Sequence, residues 1–270
     1  MNALRHLLLA LQFFTCIPLP GGVARWVGFS PAMQRASFAY FPLVGALVGV
    51  VGAGCFLGVL RCLPAVGASA WIAAILGSAA TAMLTGAFHE DGLADLADGL
   101  GGQVSRERAL EIMKDSRIGS YGSVALVLVL SLKVSLVAAL AQVDAPLAAW
   151  ALFAGHAFSR LMPVGVAAIL PNAREPAASK STAVTARVGW LAVSGAVFWA
   201  LLALAVAAWR QPGLFWMGGM AACGVAWLAM CRLLRRRLQG FTGDALGATQ
   251  QVCELAFYLG LLFGLSAARG

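Results

Sequence analysis

FAYFPLVGALVGVVGAGCFLGVL, Phe38–Leu60, runs for 23 residues without a charge. A transmembrane helix needs about 20 mostly apolar residues, so this stretch is long enough to cross a bilayer as a helix. Cys62–Phe88 follows and is equally uncharged. Five more stretches have the same character: Tyr121–Ala141, Ala145–Leu170, Val188–Ala208, Gly213–Cys231 and Leu246–Ala268. The predicted fold is therefore all-α, a polytopic transmembrane bundle of about seven spans in a single integral membrane domain over residues 1–270. Leu4–Ile17 is apolar but too short to span comfortably, and is expected to lie at the interface or re-enter.

Composition agrees. Of 270 residues, 61% are hydrophobic and only 11% charged, with a mean hydropathy of +0.85, against about 25% charged in soluble domains. So few charges cannot cover a water-soluble fold of this size, and the bilayer must solvate much of the surface. The net charge of +8 belongs first to loops that meet anionic headgroups, so the lipid bilayer is the expected partner and nucleic acid is not. The six cysteines form no CxxC pair and read as small packing residues rather than a zinc or disulfide framework. The N-terminal apolar run ends in Pro-Leu-Pro-Gly-Gly and lacks a small-x-small cleavage signature.

Loops alternating across seven spans sort the basic residues unequally. One side receives Arg25, Arg35, Arg106, Arg108, Lys114, Arg117, Arg174, Lys180, Arg187, Arg232, Arg235, Arg236 and Arg237; the other receives Arg61, Arg210 and Arg269. Thirteen against three predicts that the first side is cytoplasmic. It carries the acidic, expected catalytic loop 89–120, the Pro171–Ala186 loop and the Arg235–Arg237 run.

That cytoplasmic segment holds seven of the eleven carboxylates: Glu90, Asp91, Asp95, Asp98, Glu107, Glu111 and Asp115. Asp91, Asp95 and Asp98 are spaced i, i+4, i+7 and share one face of a helix. Like charges on one face repel, and no residue on that face pairs with them. A divalent cation relieves the repulsion, and one or two carboxylates completed by substrate phosphate is the usual way to hold magnesium. In the second arm, Glu111 and Asp115 repeat the i, i+4 spacing with Lys114 and Arg117 between and beyond them. Carboxylates for metal beside cations for phosphate suit a diphosphate site, and Gly119 and Gly122 would let backbone amides approach an anion. Glu107 reads as ordinary surface pairing.

Three charges lie at membrane depth. Lys133 is roughly 18 Å and Arg160 roughly 15 Å from the cytoplasmic ends of their spans, and Glu254 is about 12 Å in. Such residues face the bundle interior and either serve function or neutralise one another, and for Lys133 and Arg160 both readings stand. His156 reads as a hydrogen-bonded helix contact. Asp244 opens the last span, as an N-cap or as a further carboxylate for the acidic site.

In order along the chain, several motifs resemble the cobalamin synthase (adenosylcobinamide-GDP ribazoletransferase) family. They are Phe41-Pro42-Leu43-Val44-Gly45, the His-x-Asp-Gly-Leu-x-Asp-x-x-Asp-Gly run of His89–Gly99, Glu111–Gly119, Ser159-Arg160, and Gly243-Asp244-x-Leu-Gly-Ala. The resemblance covers nearly the whole chain. It implies a magnesium-dependent, multi-pass enzyme of the cell inner membrane acting late in vitamin B12 biosynthesis. Such an enzyme joins adenosylcobinamide-GDP to alpha-ribazole or its 5'-phosphate, releasing GMP. A homo-oligomer, or association with other late enzymes of the pathway, would fit as well. One departure stands out: relatives often read Thr-Arg-Ile/Leu-Pro where this chain has Thr15-Cys16-Ile17-Pro18.

On this resemblance Asp91, Asp95 and Asp98, with Asp244, would hold the metal against the diphosphate. Lys114, Arg117 and Arg160 would stabilise the transferred phosphoryl group and the departing nucleotide, with Lys133, Gly119 and Glu111 as further substrate contacts. Asp115, Asp95 or His89 would accept the proton of the ribose hydroxyl. Two rivals share parts of the pattern. A prenyl- or CDP-alcohol transferase also sets aspartates at helical spacing, but Leu93-Ala94-Asp95 follows Asp91-Gly92 where the CDP-alcohol run differs. A transporter would show matching halves, and none are evident.

Overall fold

A computed structural model describes residues 2–174 and 187–268. These residues form α1 (Asn2–Phe14), α2 (Gly21–Val27), α3 (Pro31–Ser37), a 3-10 turn (Phe38–Tyr40), α4 (Phe41–Cys62), α5 (Gly67–Thr85), α6 (Phe88–Gly101), α7 (Arg106–Ile112), α8 (Ser120–Val143), α9 (Ala145–Ser159), α10 (Leu161–Ile169), α11 (Trp190–Arg210), α12 (Phe215–Arg237) and α13 (Gly243–Ala267). Among the described residues there is no strand, only a single bridge between Asn172 and Phe241. Seven helical segments are long and apolar enough to cross a membrane, as the hydropathy predicts. The chain is an all-α multi-pass membrane bundle. Helix α1 has 13 residues, too few to span. Lys180 and Arg269, and the expected Pro171–Ala186 loop from residue 175 onward, lie outside the described residues.

Among the departures from the hydropathy reading, two have a clear local reason. The second span ends at Thr85 rather than Phe88, because Gly86 (φ +65°) turns left-handed and closes the helix. The amides of Gly86 and Ala87 return to the carbonyls of Met83 and Ala82, which satisfies the last orphan acceptors. The fourth span is interrupted between α9 and α10 at Arg160. Pro163 explains the interruption: it has no N–H, and its ring would collide with the carbonyl of Ser159 four residues earlier.

The interrupted helix pair α9–α10 and the last helix α13 are mostly buried, while the other spans bury only about a third of their residues. They form the centre of the bundle. Helix α4 reaches α9 closely because Gly45 faces the backbone of His156 and Gly49 that of Phe153; a Cβ at Gly49 would lie 2.7 Å from the Phe153 Cα. This is the small-residue crossing that lets membrane helices pack backbone to backbone.

The charge asymmetry is realised in space. Arg106 donates to the carbonyls of Leu238 and Ala173, and Arg237 donates to that of Gly102, so three widely separated basic segments meet at one end. Arg210 sits at the other end, over the rings of Trp150 and Trp209.

Candidate active site

Segment 89–120 is mostly helical rather than a loop. Ala87 holds a left-handed conformation (φ +54°) that non-glycine residues avoid, and with Gly86 it redirects the chain into α6. On α6 the i, i+4, i+7 spacing is realised: Asp91 is exposed, and Asp95 and Asp98 are half-buried. The opposite face packs on α13. Gly92 makes that possible, since a Cβ there would lie 2.7 Å from the Asp244 carbonyl oxygen, and Gly247 meets the backbone of His89 in the same way. The two glycines bring Asp244 up to the aspartates of α6, although they are about 150 residues apart in sequence.

The electrostatics of Asp95 record that gathering. Its carboxyl is raised to about 6, first by partial burial and then by the negative charges of Asp91, Asp244 and Asp98, with Arg174 opposing. A carboxyl raised by acidic neighbours marks a set of hard oxygen donors short of a cation, and in chemistry the set fits magnesium. Among the described residues no group of three or more acidic, histidine or cysteine side chains is gathered tightly enough to hold an ion alone. One or two carboxylates completed by substrate phosphate remains the arrangement this donor set suits.

Asp98 and the two glycines of the second arm have found each other. The amides of Gly119 and Gly122 donate to the two oxygens of Asp98, both at 2.8 Å. The anion that Gly119 meets is thus the protein's own carboxylate, capping the N-terminus of α8. Asp98 joins α6 to α8, while Asp91, Asp95 and Asp244 keep the chemistry of a cation site.

The second arm is not a continuous helix, because α7 ends at Ile112. Glu111 and Asp115 therefore do not share a helical face. Glu111 instead receives Arg108 at 2.6 Å, three residues back, and Glu107 sits beside Arg106. Asp115 is gripped by the Arg117 side chain and backbone amide, which holds its carboxyl down at about 2. So acidic a group is a poor base near neutrality. Lys114 is exposed. Asp98, Arg108, Glu111, Asp115, Arg117 and Tyr121 line a polar cleft of about 530 Å³.

His89 is 1% exposed, stacked on Phe41, with its Nε2 buried and without a partner. Burial pushes its pKa well down, with Arg160 adding to the shift, so the ring is neutral.

Lys133 and Arg160 lie inside the bundle rather than in the cleft. Lys133 Nζ is 2.8 Å from Glu254 Oε1, with side-chain exposures of 3% and 1%. Tyr258 donates to the same oxygen at 2.7 Å, and Gln250 donates to the other at 2.7 Å. The neutralising reading thus holds for Lys133. Arg160 donates to the His156 carbonyl at 2.9 Å and stands over the Phe41 ring. His156, as expected, is a buried helix contact; its Nδ1 is 3.1 Å from Arg160.

Sequence reasoning missed Arg174 as a site residue. It donates to Asp244 at 2.8 Å and to the Met113 carbonyl at 3.2 Å, tying the second arm to the last helix. No local signal marks it, because its partners are set by tertiary packing alone. Glu90, Gln250 and Gln251 were missed too: Gln251 donates to Glu90 at 3.1 Å and to Gln250 at 3.0 Å. Here a signal existed, since adjacent glutamines inside an apolar span are costly without partners.

Comparisons with known proteins cover nearly the whole chain. The sequence profile of the family described as cobalamin-5-phosphate synthase matches residues 6–262. The adenosylcobinamide-GDP ribazoletransferase of Albidiferax ferrireducens is 49% identical, with 97% of this chain and 99% of that protein aligned. Proteins of the same name from Polaromonas naphthalenivorans and Leptothrix cholodnii are each 47% identical. Their alignments cover 98% and 97% of this chain, and 100% and 96% of their own lengths. No solved structure matches.

Proposed function

Because the chain belongs to the cobalamin-5-phosphate synthase family, we propose that it is a magnesium-dependent adenosylcobinamide-GDP ribazoletransferase of the cell inner membrane, its acidic end facing the cytoplasm. The reaction joins adenosylcobinamide-GDP to alpha-ribazole, or to alpha-ribazole 5'-phosphate, and yields adenosylcobalamin or its 5'-phosphate plus GMP. The observation that carries the reading is the convergence of Asp91, Asp95 and Asp244 at one end of the bundle, with Arg174 bridging them to the cationic second arm.

Asp91 and Asp244 would hold the cation, with Asp95 beside them. Magnesium bound there supplies charge neutralisation of the diphosphate. Arg108 and Arg117 line the polar cleft, and with the exposed Lys114 they would stabilise the charge that builds on the departing nucleotide. A ribose hydroxyl oxygen of the ribazole forms a bond to the corrinoid-side phosphorus as the bond from that phosphorus to the GMP oxygen breaks. Of the three candidate bases, Asp95 is the one placed beside the proposed cation site to accept the hydroxyl proton. Asp115 is held too acidic by Arg117, and His89, two residues before Asp91 on the same helix, points to the opposite side of α6 from the aspartates. The cytoplasmic orientation rests on the excess of basic residues at the acidic end.

The test incubates membranes containing the protein with adenosylcobinamide-GDP, alpha-ribazole and magnesium, and measures cobalamin and GMP. Equal yields of the two are expected. Uptake without GMP release would support a transporter, and no reaction with the corrinoid would return the prenyl- and CDP-alcohol transferases to consideration. Asp91→Asn and Asp95→Asn, each correctly inserted, should each abolish transfer; normal transfer by both would overturn the metal assignment.

A further inference from the structure

At the acidic end, α1, α3, α4, α6 and the start of α13 enclose a second cavity of about 260 Å³. We propose that this cavity seats the flat aromatic base of the ribazole substrate, with its sugar at the polar part of the lining. The inference rests on the transferase reading above and locates one of its two substrates.

Four observations point to that occupant. The walls are built from phenylalanine rings, and three aromatic planes are nearly parallel. Phe14 stacks on Phe41 at 3.9 Å and 22°, and Phe41 on His89 at 5.8 Å and 10°, while Phe38 meets both phenylalanines edge-on. Offset-stacked and edge-to-face packing is what a further flat ring extends. Second, His89 lines the cavity, and its buried Nε2 has no hydrogen-bond partner. An orphaned buried nitrogen is unfavourable, and a nitrogen heterocycle offers it a partner that a lipid chain cannot.

Third, the size discriminates between the substrates. Pockets that take a whole ligand run from about 300 to 1,000 Å³, so 260 Å³ accepts a bicyclic base and excludes a corrin macrocycle. Fourth, the lining lies next to the elements that carry the carboxylate site: Gly243 immediately precedes Asp244, and Gly247 packs on the backbone of His89 in the first turn of α6. Arg35 and Gln34 supply a polar sector, suited to the sugar and, where present, its 5'-phosphate.

The test uses the wild-type protein in proteoliposomes with an arylazide-bearing benzimidazole riboside as photoprobe, and unlabelled alpha-ribazole as competitor. Competed label is expected on the peptides carrying Phe38–Phe41 and Phe88–His89. Competed label confined elsewhere, or absent from these peptides in protein that turns ribazole over, overturns the proposal. Wild-type protein that makes no cobalamin removes the transferase reading instead, so the two failures are distinct.

Kinetics on active variants give a second readout. Phe38→Ala should raise KM for alpha-ribazole roughly tenfold, as loss of one aromatic stacking partner does, and leave KM for adenosylcobinamide-GDP unchanged. Leu246→Phe, which narrows the cavity, should shift preference from methylated to unsubstituted bases. A base preference identical to wild type in active Leu246→Phe protein counts against the proposal; a simple folding defect lowers activity on both bases alike.

Discussion

Replacing Lys133 by methionine tests whether the membrane-depth charges are internal scaffold or substrate contacts. The ammonium lies 2.8 Å from Glu254, and both side chains are almost wholly buried. At that separation, and at an effective dielectric of about 20, the attraction is about 6 kcal/mol. Desolvation of both ions offsets much of it, so the pair's net contribution is small. Removing one partner is a different matter, because the other stays buried with its charge uncompensated, at a cost of about 3–5 kcal/mol. Tyr258 and Gln250 still donate to Glu254 in the variant, which places the expected loss in the lower half of that range. Thermal unfolding of the purified protein in detergent should show a fall in midpoint on the order of 10 °C. Lys133→Met with Glu254→Gln, which removes both charges, should recover most of it, with KM for both substrates unchanged in the folded fraction. A Lys133→Met protein with normal melting and a raised KM would falsify the scaffold reading.

The other predictions concern the acidic end. Asp95 has a folded-state pKa near 6, above the ordinary carboxylate value, so the folded state binds its proton more tightly than the unfolded state does. Its contribution to stability is therefore fully present below about pH 4 and is lost as pH rises through about 6. Melting of metal-free protein should fall across that window, and magnesium should remove the fall; a flat profile in both conditions would contradict the cation site. Asp98→Ala deprives two backbone amides of a charged acceptor and should destabilise the fold by about 2–4 kcal/mol without changing the magnesium concentration needed for half-maximal activity in the folded fraction. Gly92→Ala drives a methyl into the backbone at Asp244 and should cost about 1–3 kcal/mol. Its magnesium requirement should rise as α6 and α13 separate, as a titration of transfer activity would show. Lys114→Cys should react with a membrane-impermeant maleimide only in inverted inner-membrane vesicles, and reaction in right-side-out spheroplasts alone would reverse the orientation.

Much of the fold was legible from the residues alone. Seven spans, the short first helix and the gathering of basic segments at one end follow from hydropathy and charge, which are properties of each residue summed over a window. The same-face spacing of Asp91, Asp95 and Asp98 was equally legible, because helical periodicity is local. The i, i+4 spacing of Glu111 and Asp115 misled for a local reason as well: α7 ends at Ile112, and spacing carries meaning only while the helix continues.

Tertiary structure decided which partner each charge took. Sequence named Lys133 and Arg160 as two possible mates for Glu254; packing of α8 against α13 brought Lys133 within bonding distance and left Arg160 to His156 and Phe41. Sequence offered Asp244 as a cap or a fourth carboxylate; the close crossing at Gly92 put it beside Asp95, and Thr242 took the capping role. Sequence expected Gly119 to cradle a substrate anion, and the fold turned Asp98 onto it instead. Residue type and period determine what a side chain can do and which way its helix faces. Which groups then meet depends on how helices distant in sequence cross, and a pairing energy exists only once they have done so.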